Sequence, residues 1–251
     1  MKGKVFLVGA GPGAVDLLTL RAARLLSEAE VVFHDALVNA EILALAARAK
    51  LIPVGKRCGR FSTAQTFINK QLIDAARKHP VIVRLKGGDP MLFGRAQEEI
   101  DALTAAGIEV EVVPGITAAL AASASLKVSL TRRGVARNVA FVTPRIGKME
   151  AASDWLASAV AADTVVIYMG AGEAGAIALA LIERGRSAST PVAVIENASL
   201  PTEHWRFGAL RNLPALAENL GAGPAVIVLG QVLRERAQAE ATVRELLRQA
   251  G

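Results

Sequence analysis

Two glycine-rich loops carry the residues whose types and spacing point most directly to chemistry. The stretch Lys86-Gly87-Gly88-Asp89-Pro90 sets consecutive glycines between a cation and a carboxylate. Consecutive glycines permit positive φ angles and let a ligand approach the backbone closely. Because a tight turn needs only one glycine, the sequence predicts a ligand-binding loop at this position.

The earlier loop, residues 9–14 (Gly-Ala-Gly-Pro-Gly-Ala), matches the glycine/alanine form of the dinucleotide-binding fingerprint. Pro12 lacks the backbone N–H that a pyrophosphate would use. The acidic residue expected about twenty positions later has only the loosely placed Glu30 and Asp35 as candidates. The loop therefore suits a cofactor without phosphates better, and a nicotinamide-dependent oxidoreductase is kept as an alternative.

The chain carries a net charge of +6 and has a pI of about 9.8. Much of its positive charge lies in short clusters rather than in one long basic segment. Such clusters fit a pocket for carboxylates, and they are equally typical of solvated loops. A basic balance also admits a nucleic-acid surface. The clusters are Lys56-Arg57-Arg60, Lys86 with Arg95, and Arg132-Arg133-Arg137.

Composition limits the class of protein. In 251 residues, 52% are hydrophobic and only 4% are aromatic, which favours helices packed on buried strands and hence the α/β class. The single cysteine excludes an internal disulfide framework, and the three histidines form no metal-binding pattern, so no metal is expected. No run reaches the roughly twenty apolar residues that span a bilayer, which predicts a cytoplasmic protein without a membrane partner.

The elements that must position these loops follow a βαβ rhythm, which indicates a mostly parallel sheet. The first helix is expected to turn Leu17, Leu20, Leu25 and Leu26 toward one side. Each unusual loop follows the carboxyl end of a predicted strand, the edge at which open parallel sheets bind ligands. The predicted strands of this half are residues 4–8, 31–33, 51–54, 81–85 and 109–113.

The rhythm restarts after residues 131–134, which predicts two α/β domains, residues 1–133 and 134–251. One large doubly wound sheet is the alternative. The chain after residue 232 is charged and helix-prone, so a peripheral helix is expected at the end. The second set of strands is predicted at residues 139–142, 164–168, 192–195 and 225–229, with 205–208 as an antiparallel addition.

Taken together, several motifs in order along nearly the whole chain resemble the uroporphyrinogen-III C-methyltransferase family of the tetrapyrrole methyltransferase superfamily. The Arg-Leu-Lys-Gly-Gly-Asp-Pro stretch is the most specific of them. The motifs are Val8-Gly9-Ala10-Gly11-Pro12-Gly13, Val54-Gly55-Lys56-Arg57, Arg84-Leu85-Lys86-Gly87-Gly88-Asp89-Pro90, Phe93-Gly94-Arg95, Val112-Val113-Pro114-Gly115-Ile116-Thr117-Ala118 and Tyr168-Met169-Gly170.

The resemblance implies a homodimeric enzyme of two α/β domains that binds S-adenosylmethionine in a cleft between them and releases S-adenosylhomocysteine. It also implies a proton acceptor at Asp35 and a proton donor at Lys56. From the residues alone, Asp35 could equally cap a helix, and Lys56 could equally pair with a substrate carboxylate. The implied cofactor contacts are Pro12, Gly87, Gly88, Asp89, Leu92, Thr117, Ala118, Met169 and Ala198.

The porphyrinogen acceptor is a polyanion, which predicts bidentate pairing of its carboxylates with arginines. The candidates are Arg57, Arg95, Arg132 and Arg133. The sequence departs from the family in ways that bear on the substrate pocket. Ala36 replaces an arginine, Ala96-Gln97 a glycine pair, Thr143-Pro144-Arg145 a Thr-Gly-His, and Ala198-Ser199 a Gly-Thr.

The predicted function is therefore methylation of uroporphyrinogen III at two pyrrole carbons, on rings A and B, giving precorrin-2 for sirohaem or cobalamin synthesis. A different tetrapyrrole, or ribosomal RNA, is the alternative acceptor for a methyltransferase of this fold. Scattered charge and few aromatic side chains for base stacking argue against a nucleic-acid partner.

Overall fold

The computed structural model describes residues 3–54, 65–146, 153–221 and 223–249. Strands and helices alternate along them, as predicted. The strands are β1 (Lys4–Gly9), β2 (Val31–His34), β3 (Lys50–Pro53), β4 (Val81–Lys86), β5 (Glu109–Val113), β6 (Val139–Val142), β7 (Thr164–Tyr168), β8 (Pro191–Glu196), β9 (His204–Ala209) and β10 (Ala225–Gly230).

The helices vary from a single turn to more than four turns. They are α1 (Leu20–Glu28), α2 (Ala40–Ala44), α3 (Gln65–Ala76), α4 (Ala96–Ala105), α5 (Ala118–Leu126), α6 (Trp155–Ala161), α7 (Ala174–Glu183), α8 (Leu213–Ala217) and α9 (Arg234–Gln249). Short 3-10 turns lie at Val15–Leu17, Ala171–Glu173, Leu210–Asn212 and Gln231–Leu233.

The chain divides into two compact units, residues 1–118 and 119–251, and each contains its own sheet. The alternative of one large sheet is therefore wrong. The division falls at the start of α5, earlier than the expected boundary between residues 133 and 134. Helix α5 belongs with the second unit because Ala122 and Leu126 are buried in the same core as Val166 and Ile195.

The sheet of the first unit has the order β3-β2-β4-β1-β5, and all its strands are parallel. Helices cover both faces: Leu26 of α1 and Ile42 of α2 are buried on one, Leu72 of α3 and Leu103 of α4 on the other. This order sets the loops that follow β2, β4, β1 and β5 side by side at one edge.

The buried face of helix α1 differs from the predicted one at one position. Thr19 caps the helix by accepting a hydrogen bond from the backbone N–H of Ala22 at 3.1 Å. Leu25 and Leu26 are buried as predicted, but Leu20 is 92% exposed, so that part of the prediction is wrong. Ala22, three and four residues before the two leucines, occupies the buried face instead of Leu20.

The sheet of the second unit has the order β6-β7-β10-β8-β9 and is mixed. Strand β10 is antiparallel to β7 and β8 on either side, whereas β6 and β7 are parallel. The predicted antiparallel addition is confirmed, since β9 pairs antiparallel with β8. Because β6, β7 and β8 run in the same direction, the loops that follow them leave the same edge of this sheet.

The second sheet is also covered on both faces. Val165 and Ile167 face a core with Ile177 of α7 and Leu213 of α8, while Val166 faces the core that contains α5. This alternation is the period of two expected for a strand. The predicted C-terminal helix is present as α9, and its Arg236 lies 5.7 Å from the centre of the Phe207 ring.

Three backbone segments of the first unit approach closely at the edge where β1, β4 and β5 end. A Cβ atom on Gly115 would lie 2.3 Å from the carbonyl oxygen of Gly88, and one on Gly9 would lie 2.6 Å from Cα of Gly115. Gly88 also has a φ of +67°, which disfavours any side chain. These contacts are between backbones, so the loops depend on glycine at these positions.

We expect Gly115→Ala to lower the melting temperature, because overpacking against rigid backbone costs about 1–3 kcal/mol or more. The matched control is Gly175→Ala in α7, where the position is exposed and the nearest atom is 4.0 Å away. That control should stabilise the helix by about 0.5–1 kcal/mol. Thermal unfolding followed by circular dichroism measures both, and a Gly115→Ala protein as stable as the wild type would contradict the prediction.

Candidate functional site

The glycine loops of the first unit are joined into one platform by backbone hydrogen bonds. The N–H of Gly11 donates to the carbonyl of Gly88 at 3.1 Å, and the N–H of Gly88 donates back to Gly11 at 2.8 Å. Ala10 donates to the carbonyl of Lys86 at 2.7 Å. The loops after β1 and β4 therefore hold each other in place.

Asp89 joins the third loop to this platform. One of its carboxylate oxygens accepts from the N–H of Gly115 at 2.9 Å, and the other accepts from the N–H of Met91 at 2.8 Å. The neighbouring Gly87 is exposed, and a Cβ there would meet only the Cβ of Leu37, at 3.6 Å. The backbone at Gly87 is therefore accessible, and Asp89 fixes the chain that follows it.

A buried cluster of charged side chains lies in the same unit and was not predicted from the sequence. Arg84 and Lys86 of β4 are each 3% exposed, and Glu99 of α4 is fully buried. Lys86 Nζ lies 3.1 and 3.0 Å from the two carboxylate oxygens of Glu99, and Arg84 Nε donates to one of them at 3.0 Å. Gln65 of α3 donates to the same oxygen at 3.1 Å.

The electrostatics of the two buried cations differ. Burial, followed by the charge of Arg84, lowers the pKa of Lys86, although Glu99 opposes that shift. Burial alone would lower the pKa of Arg84 as well, but the charges of Asp35 and Glu99 outweigh it and raise that pKa. Arg84 therefore stays cationic, as expected for an arginine held between two carboxylates.

Asp35, the predicted proton acceptor, follows β2 and lies beside this cluster. Its side chain is 30% exposed, and its Oδ1 accepts from Nη2 of Arg84 at 2.5 Å. The alternative that Asp35 caps a helix is wrong: Asn39 caps α2 by accepting from the N–H of Glu41. Nδ1 of His34 lies 3.2 Å from the backbone carbonyl oxygen of Asp35.

The predicted substrate-binding arginines fall in different environments. Arg95 forms a two-pronged ion pair with Glu98 at 2.6 and 2.7 Å, and its hydrogen bond lowers the pKa of Glu98. Arg132 pairs with Glu235 at 2.8 Å. Arg133 is exposed in a turn. A substrate carboxylate would have to replace the present partners of the first two, and the substrate role of all three stays a prediction.

Several predicted residues lie outside the described residues. Lys56, the predicted proton donor, and the substrate candidate Arg57 both fall in residues 55–64, as does Arg60. Among the residues that the structure does describe, no group of His, Cys, Asp and Glu side chains is arranged to hold a metal ion. None of the helices described is both long and apolar enough to cross a bilayer.

The predicted cofactor contacts separate into two groups. The first group occupies the loops after β1, β4 and β5 of the first unit, and comprises Pro12, Gly87, Gly88, Asp89, Leu92 and Thr117, with Ala118 at the start of α5. The second group, Met169 and Ala198, follows β7 and β8 of the second unit. These two residues therefore lie at the same edge of their own sheet.

The second group has an unusual backbone. Met169 has a φ of +56° and is 45% exposed, so the alternative that it is a helix-core methionine is wrong. Ala198 is buried between Asn197 and Ser199, which have φ angles of +53° and +76°. Glu203 steadies this segment, since its carboxylate accepts from the N–H of Ser199 at 2.7 Å. Left-handed residues of this kind cluster at ligand sites.

The buried cluster, in which Arg84 and Lys86 pair with Glu99, was missed by sequence reasoning but had a readable signal. Arg84 and Lys86 are two apart in a strand, and side chains two apart share a face. Since the strand is central and covered by helices, both cations had to be buried, and buried cations need carboxylates. The pair Glu98-Glu99 near the start of the following helix was the natural source of one.

Fold and site together define an α/β protein of two units, in the first of which glycine loops at the carboxyl edge of a parallel sheet form one hydrogen-bonded platform. Comparison with known proteins narrows this class. The family model of tetrapyrrole (corrin/porphyrin) methylases matches residues 4–214. The chain therefore belongs to that family, which confirms the resemblance seen in the sequence.

Individual relatives agree with the family. A uroporphyrinogen-III C-methyltransferase of Synechocystis is 44% identical over 93% of this chain and 90% of its own. A siroheme synthase of Zymomonas mobilis is 45% identical over 92% of this chain but only 49% of its own, so the chain spans about half the length of such relatives. A uroporphyrin-III C-methyl transferase of Thermus thermophilus, solved with S-adenosylhomocysteine, matches with a TM-score of 0.81 and 40% identity, over 92% of this chain and 99% of that one.

We expect Glu99→Leu to destabilise the protein by about 3–5 kcal/mol, because Lys86 loses its carboxylate partner and Arg84 loses one of its two. The matched control is the adjacent Glu98→Leu, which breaks an exposed ion pair worth at most about 1 kcal/mol. Urea denaturation midpoints of the two variants measure the difference. Similar midpoints would contradict the buried arrangement of Glu99.

Proposed function

We propose that this chain transfers methyl groups from S-adenosylmethionine to two pyrrole carbons of uroporphyrinogen III, on rings A and B, to give precorrin-2. The observation that carries the proposal is the similarity to the Synechocystis protein along nearly the whole length of both chains. The names of the siroheme synthases favour sirohaem as the end product, and cobalamin is the other product that would use precorrin-2.

The proposed donor site has backbone polar groups and an apolar side chain that suit S-adenosylmethionine. When bound, S-adenosylmethionine supplies an activated methyl group on a sulfonium. Gly87 would hold its polar groups through backbone N–H and C=O, since no side chain intervenes there. Gly88 pairs its own N–H and C=O with Gly11, so it would contact the donor through its Cα. Met169 offers a soft apolar surface, and the segment around Ala198 offers further backbone groups. The cleft between the two domains stays a prediction, as do the contacts at Pro12, Leu92, Thr117 and Ala118.

Methylation at a pyrrole carbon leaves a proton to be removed. The carbon forms a bond to the methyl group with a π electron pair of the ring, and the electron pair of the broken C–S bond returns to sulfur. The methylated ring is then cationic, and loss of a proton restores its neutrality. Asp35 would accept this proton, because its carboxylate is partly exposed at the same edge as the glycine platform.

The other predicted parts of the reaction complete the proposal. Lys56 would donate a proton to the macrocycle as the double bonds of the methylated product shift, a tautomerisation in which the macrocycle loses a second proton to solvent. The carboxylates of the polyanionic acceptor would pair with Arg57, Arg95, Arg132 and Arg133. The acceptor is proposed to be a tetrapyrrole rather than a nucleic acid. A homodimer in the cytoplasm is the proposed form of the enzyme.

We expect the purified chain to add two methyl groups to uroporphyrinogen III when S-adenosylmethionine is supplied, as measured by mass spectrometry of the tetrapyrrole. Asp35→Asn should reduce turnover by about 10²- to 10⁴-fold, since it removes the general base. Ribosomal RNA offered as acceptor should stay unmethylated. An unmethylated or only singly methylated tetrapyrrole with the wild type would refute the proposed reaction.

Gly87→Ala tests the donor site without disturbing the fold. The added methyl group meets only an ordinary contact with Leu37, but it projects from the exposed platform. We expect the dissociation constant of S-adenosylhomocysteine to rise at least about tenfold, or ~1.4 kcal/mol, at an unchanged melting temperature. Isothermal titration calorimetry measures this, with Gly175→Ala as the control that should bind normally. An unaltered affinity in Gly87→Ala would place the donor elsewhere.

A further inference from the structure

The buried charged cluster of the first unit has no role in the proposed methyl transfer itself. Arg84, Lys86 and Glu99 are almost completely removed from water, and ions are costly to bury. Replacing such a cluster with apolar side chains is often neutral or stabilising. Stability alone is therefore a weak explanation for the cluster. The group that it contacts at its exposed end indicates a second role.

That group is Asp35. The guanidinium of Arg84 is held at both ends: its Nε donates to Glu99 at 3.0 Å, and its Nη2 donates to Asp35 at 2.5 Å. Its Nη1 donates to the carbonyl of Leu85 at 3.2 Å. Each nitrogen of the planar fork thus has a partner, so the direction from which Arg84 meets the Asp35 carboxylate is fixed.

Glu99 in turn is anchored from two further sides. Lys86 contacts both its oxygens, at 3.1 and 3.0 Å, and Gln65 of α3 donates to one of them. The chain of contacts therefore runs from helices α3 and α4, through a buried carboxylate and a buried guanidinium, to a carboxylate at the open edge. The two cations balance the two carboxylates, so the cluster as a whole is neutral.

We propose that Arg84 is a positioning residue for the proton acceptor Asp35 and that Glu99 is its anchor, a role that rests on the proposed function. Arg84 holds the carboxylate in one orientation toward the methylated ring. It also places a positive charge beside Asp35, which offsets the repulsion that a polyanionic acceptor would otherwise meet from a bare carboxylate. Arg84 itself touches neither donor nor acceptor.

A double-mutant cycle in kcat tests this role in the full chain with uroporphyrinogen III and S-adenosylmethionine. Arg84→Lys keeps the charge but removes the fork that reaches two carboxylates. We expect it to lower kcat about a hundredfold when Asp35 is present, the scale of a small misplacement of a reacting group. In the Asp35→Asn background the same substitution should lower kcat by less than about twofold, because there is no carboxylate base left to misplace.

Two controls separate positioning from a general loss of structure. Binding of S-adenosylhomocysteine by calorimetry should be unchanged in Arg84→Lys. Arg186→Lys in the second unit should leave kcat unchanged, although this arginine is also partly buried and donates to the carbonyls of Val160 and Ala162 at the end of α6. If Arg84→Lys does not fold, Glu99→Gln replaces it in the same cycle, since it keeps the shape of the anchor and removes its charge.

The outcomes are distinct. A loss of kcat that occurs when Asp35 is present, and not in the Asp35→Asn background, supports the positioning role, whether Arg84→Lys or Glu99→Gln is used. An equal loss in both backgrounds, or a loss that donor binding shares, overturns it while leaving the methyltransferase reaction intact. Absence of tetrapyrrole methylation by the wild type refutes the proposed function instead, and the role of Asp35 falls with it.

Discussion

Several elements of the first unit depend on one buried group, the carboxylate of Glu99. It accepts hydrogen bonds from Arg84 and Lys86 of β4 and from Gln65 of α3, while its own backbone belongs to α4. A charge removed from water is stable only when all these partners are in place. The packing of α3 and α4 on β4 is therefore coupled to the position of the glycine loop that follows β4.

The platform adds a second constraint at the same edge. Gly9 and Gly115 leave no room for a Cβ between the chain segments, and Gly88 needs glycine because its φ is +67°. Asp89 binds the segment at Gly115 through the backbone N–H of that residue. These loops are thus ordered when the protein folds, before any ligand binds. A ligand that meets such preformed backbone groups loses less free energy to ordering than one that must arrange a flexible loop.

Much of this edge could be predicted from the sequence because its physics is local. Apolar runs such as residues 5–8 and 31–33 predict buried strands, and strands joined by helices in one sheet run parallel, so the residues after them share an edge. That reasoning was sufficient to gather the first group of cofactor candidates and Asp35 in one region. The family membership is likewise carried by short motifs that are contiguous in the chain.

The remaining features depend on partners that are distant in sequence. Nothing local says that Arg84 meets Asp35, 49 positions away, because that contact follows from β2 and β4 being neighbours in the sheet. The same holds for α5, whose small residues fit the second core rather than the first. Leu20 is exposed because it lies five and six residues before Leu25 and Leu26, which puts it on the opposite face of α1 from them.

The order of strands in the two sheets has a consequence for biosynthesis. All strands of the first sheet have been synthesised once residue 113 is made, so that unit can fold early, while the rest of the chain is still being made. In the second sheet the central strand is β10, which is synthesised last and lies between β7 and β8. Until residues 225–230 emerge, β7 and β8 each carry an open hydrogen-bonding edge, and the nascent chain is most vulnerable to aggregation during that interval.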